Sequence, residues 1–73
     1  MIYLKKFLDI VINDTFISVQ WEWDFEEDNG IYSYQGLKKY FDDVDDLMTV
    51  EKLRVDQEKG LIVVISYDVD TRL

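Results

Sequence analysis

Apolar residues alternate strictly along residues 17–25: Ile17, Val19, Trp21, Trp23 and Phe25, with Ser18, Gln20, Glu22 and Asp24 between them. That period of two predicts a half-buried strand. Asn13-Asp14 tolerates positive φ and predicts a tight turn before it. A hairpin closed by that turn sets Ile10 against Ile17, Leu8 against Val19, Leu4 against Trp23 and Ile2 against Phe25. On its other face Lys5 meets Glu22 and Tyr3 meets Asp24. Leu4, Phe7, Leu8, Val11 and Ile12 also have helical spacing, but the β-branched run Ile10-Val11-Ile12 and the coherent pairing favour a strand.

Asp28-Asn29-Gly30 is the strongest turn signal and predicts a third strand over Ile31–Gln35, with Tyr34 opposite Phe25. Past Gly36, the positions Leu37, Tyr40, Phe41, Val44, Leu47 and Met48 form one apolar stripe at helical spacing. A second hairpin follows, with Leu53–Val55 rising, Gln57–Gly60 turning and Leu61–Tyr67 returning. The returning strand is apolar on both faces, which predicts a central position in the sheet. The expected architecture is one small acidic α+β domain over residues 1–73, ordered β-β-β-α-β-β. It has a five-stranded, mostly antiparallel sheet with one helix packed on one face, the Trp face.

Composition changes the picture in two ways. An apolar fraction of 48% and eleven aromatic residues (two Trp, five Tyr, four Phe) in 73 residues argue for a packed core rather than disorder. With no Cys there is no disulfide, and with no His there is no ordinary nucleophile–base pair, neutral-pH proton shuttle or common metal site. The serines lack an activating base, the three glycines are too widely spaced for a phosphate loop, and a chain this short can hardly build a glycosidase cleft. The expectation is a protein without enzymatic activity or cofactor. No secretory signal or membrane-length apolar run is read, so a cytoplasmic setting is expected. The sequon Asn13-Asp14-Thr15 is taken as accidental.

Sixteen acids against eight bases give a net charge of −8. Such a field disfavours direct binding to nucleic acid or anionic membrane and favours a basic partner protein. The bland account is that it only keeps an aromatic-rich domain dissolved. The acids fall in two clusters. Glu22, Asp24 and Glu26 would form a straight row at about 6.6–6.8 Å intervals along a strand, extended by Glu27 and Asp28 at the hairpin tip. In outline such a row resembles the phosphates of one nucleic-acid strand. Asp42, Asp43, Asp45 and Asp46 would lie toward the negative end of the predicted helix, with Lys38 and Lys39 at its positive end. Each charge there opposes the helix dipole unless the helix starts at Asp42 or Asp43. Neither cluster has the glycine position or the terminal Glu of a helix–loop–helix calcium site.

The function these features suggest is a small acidic inhibitor, a nucleic-acid-mimicking decoy for the basic groove of a nucleic-acid-binding protein. Tyr32, Tyr3 and Tyr67 are the candidate aromatic anchors at its rim. In composition alone the chain is similar to small, acidic, cysteine-free phage and mobile-element proteins, anti-CRISPR inhibitors among them. The alternatives are an assembly module forming a homodimer through Leu61–Tyr67, and an immunity-type protein neutralising a basic toxin.

Overall fold

In a computed structural model, residues 1–25 and 31–68 are described, the side chain of Phe25 excepted. Five strands form one sheet: β1 (Ile2–Tyr3), β2 (Phe16–Trp21), β3 (Tyr34–Leu37), β4 (Met48–Asp56) and β5 (Gly60–Tyr67). Helix α1 (Leu4–Asp9) follows β1, a single helical turn α2 (Glu22–Phe25) follows β2, and a 3-10 turn spans Lys38–Tyr40. The sheet order is β1-β4-β5-β2-β3. β1/β4, β4/β5 and β2/β3 are antiparallel, whereas β2/β5 is parallel. The α+β class and the five-stranded, mostly antiparallel sheet are as expected; the order of elements is not.

The N-terminal segment is the first departure. Leu4, Phe7, Leu8 and Val11 recur at the spacing of one helix face, and α1 buries Leu4 and Leu8 in the core while Phe7 and Val11 pack at its margin. The strand predicted there would have buried Ile10 and Ile12, which are instead 79% and 75% exposed. A six-residue helix is marginal alone, so the packing of Leu4 and Leu8 stabilises it. Asn13-Asp14 does turn the chain, with the Thr15 N–H donating to the Ile12 carbonyl, but it joins α1 to β2 instead of two paired strands.

The stripe from Leu37 to Met48 is the second departure, since no α-helix forms there. Aspartate is a poor helix former because its carboxylate competes for nearby backbone donors. Here the Asp45 carboxylate accepts from the Leu47 N–H at 2.9 Å. Helical geometry would also stack Asp42 over Asp45 and Asp46, and like charges at that spacing repel. Phe41 and Val44 still reach the core, from a loop instead of a helix.

The C-terminal hairpin matches expectation. β4 and β5 pair from Met48–Tyr67 to Asp56–Gly60, interrupted by a bulge between Val50 and Lys52. β5 lies at the centre of the sheet, and Ile62, Val63, Val64 and Ile65 are all buried. This leaves the middle of that strand no open face for the homodimer contact expected of it. One side of the sheet carries Ile17, Val19, Val63 and Ile65 under α1, and the reverse carries Ser18, Gln20, Ile62 and Val64. Ser18 donates to the Lys59 carbonyl and accepts from the Gln35 amide. The buried Gln20 Nε2 has no partner among the described residues.

β3 is the strand expected after Gly30, but it runs Tyr34–Leu37 and sets Tyr34 against Val19 rather than Phe25. The turn Asp28-Asn29-Gly30 lies outside the described residues. No helix among them is long and apolar enough to cross a membrane.

A candidate interaction surface of rings and carboxylates

β2 stops at Trp21, and the chain bends at once into the helical turn α2. Glu22 and Asp24 occupy that first turn, where carboxylates favour the positive end of a helix. The bend brings Trp23 back over Trp21. Their ring centroids are 4.7 Å apart and the planes differ by 8°. On the other side of Trp21 stands Tyr67, at 5.0 Å and 37°. The register explains that contact: Trp21 pairs with Ile65, and Tyr67 lies two residues further along the same face of β5. Trp23, expected in the core, is 59% exposed.

The row of carboxylates predicted for Glu22, Asp24 and Glu26 is therefore not present as a strand row. Glu22 and Asp24 sit on a helical turn, while Glu26, Glu27 and Asp28 lie outside the described residues. Lys5 does not oppose Glu22; its ammonium group pairs with Asp46 at 3.2 Å, both side chains being largely exposed.

The second cluster arrives at the same end of the sheet by another route. Residues 42–46 precede β4, which begins where β2 and β5 finish. The Asp68 N–H donates to the Leu47 carbonyl at 2.7 Å and ties the loop to the end of β5. Asp45 and Asp43 then face the Tyr67 phenol. Desolvation, the charge and hydrogen bond of Asp45, and the charge of Asp43 together raise its pKa above the ordinary 10.0. At the same end the Tyr3 hydroxyl donates to the Asp68 carboxylate, and this hydrogen bond raises the Tyr3 pKa as well.

Glu22 and Asp24, the described part of the first cluster, and the second cluster thus lie at one end of the sheet, where the rings of Trp23, Trp21 and Tyr67 are in contact. Glu22 and Asp24 adjoin Trp23 on the helical turn, and Asp43 and Asp45 face Tyr67. Asp42, also exposed, adds to the second group, while Asp46 is engaged with Lys5.

Tyr32 does not join them. Its ring lies under the Lys59 ammonium group at 5.1 Å, beside the β4–β5 turn at the opposite end. A shallow, open concavity lined by Val55, Asp56, Gln57, Glu58 and Lys59 sits there too. The sequence reading put Trp23 in the core instead of at the surface, and it did not single out Asp68. The two tryptophans share strand parity, which hides a helical bend, and nothing local signals the long-range contact of Asp68 with Tyr3.

Among the described residues no group of three or more acidic side chains is poised to hold a metal ion. The carboxylates are spread around rings rather than converging on one point. That arrangement suits the faces of aromatic rings and the charges of Asp and Glu to cationic side chains, with guanidinium groups favoured over ammonium. Compared with protein-family models, curated proteins and solved structures, the chain matches none.

Proposed function

We propose that this chain is a small acidic protein-binding inhibitor, without enzymatic activity, acting in the cytoplasm on a basic nucleic-acid-binding protein. It would occupy the groove that otherwise holds a nucleic-acid strand. A role of the phage or mobile-element kind, anti-CRISPR activity included, fits that chemistry. So does neutralisation of a basic toxin.

One observation carries the reading: in the contact row Trp23–Trp21–Tyr67, whose outer rings are exposed, Trp23 has Glu22 and Asp24 as its neighbours on the helical turn, and Tyr67 is faced by Asp43 and Asp45. Carboxylates alone would supply steering, and aromatic surface alone would supply adhesion. Together they match the Arg and Lys of a phosphate-binding groove, whose heads meet the acids while their stems and planes lie on the rings. The charge of −8 accelerates the encounter and makes it sensitive to salt. Mimicry here rests on a compact patch of charge and rings, not on an evenly spaced row.

The test is capture of partners from bacterial lysate by the tagged chain, beside a variant carrying Glu22→Lys, Asp42→Lys and Asp43→Lys. The reading expects a nucleic-acid-binding protein retained at low salt, released steeply as salt rises, and missing from the variant's eluate. Equal capture by the folded variant would reject it.

A further inference from the structure

Trp23 is the most exposed ring of the contact row, at 59%. Trp21 covers one of its faces, with planes only 8° apart, so the exposed area belongs to the opposite face and the ring edges. Glu22 and Asp24 are its immediate neighbours on α2. Successive residues of a helical turn point about 100° apart, so the two carboxylates leave the backbone on either side of the indole. Glu22 is exposed and Asp24 half-buried.

The cations of the chain are placed elsewhere. Lys39 and Lys59 stand over the rings of Tyr40 and Tyr32, at 5.3 and 5.1 Å. The lysine ion pairs among the described residues go to Asp14 and Asp46. Among those residues no lysine or arginine pairs with Glu22 or Asp24, and none stands over Trp23. A large ring face and two carboxylates beside it are thus left to a cation from outside.

We propose, resting on the function proposed above, that the exposed face of Trp23 seats an arginine of the basic partner, and that this surface selects arginine over lysine. A guanidinium group is planar and weakly hydrated, so it lies flat on an indole at little cost in lost water. Its N–H groups then point outward in its own plane, toward acceptors beside the ring, where Glu22 and Asp24 are set. A carboxylate can accept two of those N–H groups in parallel. An ammonium group is compact and strongly hydrated, and it has no planar fork to offer both the ring and its flanking acids. The net charge of −8 attracts either cation alike, so the discrimination belongs to the ring.

Oligo-arginine and oligo-lysine of equal length carry equal charge, so comparing them removes the common electrostatic attraction. In calorimetric titration of the full chain at low salt, oligo-arginine should bind about tenfold more tightly. Trp23→Ala should bring the two affinities within about twofold, and Trp23→Phe, which keeps a ring face, should retain part of the preference. Urea denaturation of each variant checks that it remains folded. Equal affinity of the wild type for the two peptides, or a preference that folded Trp23→Ala leaves intact, would overturn the inference while sparing the inhibitor reading. Binding of neither peptide at low salt would overturn both.

Discussion

Trp21 and Trp23, two residues apart, stack face to face at 4.7 Å, a contact that a strand could not make because it would point them to one face about 6.6–6.8 Å apart. The helical turn at Glu22 closes that distance. It also leaves the outer ring exposed, so Trp23 serves the surface and Trp21 the edge of the core. Trp23→Ala should therefore lower unfolding free energy by no more than about 0.5–1.5 kcal/mol, the typical worth of one aromatic pair. It should remove the coupled indole signal from the circular dichroism spectrum. Affinity for the basic partner should fall at least tenfold, about 1.4 kcal/mol. A Trp23→Ala protein that binds as wild type would exclude the ring from the interface.

Gly60 begins β5 at φ +70°, and a Cβ there would stand 2.3 Å from the Phe16 carbonyl oxygen. Both conformation and space require glycine. Gly60→Ala should cost about 1–3 kcal/mol in urea denaturation, from backbone strain and the forced movement of β2.

The N-terminal helix makes an opposed pair of predictions. Leu8→Ala should cost about 2–5 kcal/mol, because its side chain is buried in the core cluster. Ile10→Ala should change stability by less than about 0.5 kcal/mol, since that side chain is exposed. A strand over the same residues would bury both.

Stability should decline at both extremes of pH for identifiable reasons. The Asp56 carboxylate accepts from the N–H groups of Glu58 and Lys59, which hold its pKa below the ordinary 3.8, helped by the charges of Lys59 and Arg54. A depressed acid contributes stability above its unfolded pKa and loses it as pH falls through the folded one. Asp56→Asn keeps a turn acceptor without the titration, so it should lose less stability than wild type between about pH 4 and 2. Tyr3 and Tyr67 act in the other direction. Their raised pKa values mean that the unfolded chain releases protons first as pH rises past about 10, so stability falls there. Tyr3→Phe should flatten that alkaline limb, and the absorbance of tyrosinate during titration checks it.

The elements legible in the sequence are those whose pattern allowed one reading. Leu61–Tyr67 is apolar on both faces, and only a central strand uses both. Ile17, Val19 and Trp21 alternate without a rival period. Residues 4–12 carried two periods at once, and the choice fell to a contact far along the chain, the need of Val63 and Ile65 for cover. From Leu37 to Met48 the apolar stripe is real, but four aspartates oppose the backbone it implied. That Glu22 and Asp24 lie at the same end of the sheet as Asp43 and Asp45 was not legible, because it depends on β2 and β5 being parallel. That pairing finishes both strands at the end where β4 starts. No local signal marks it.

Displacement of nucleic acid tests the central claim most directly. The basic protein captured at low salt is loaded with a labelled oligonucleotide, and this chain is titrated in. The account predicts stoichiometric release that weakens steeply with salt and is lost in the variant carrying Glu22→Lys, Asp42→Lys and Asp43→Lys. A ternary complex in which oligonucleotide and protein stay bound together, or release unaffected by those charge reversals, would contradict it.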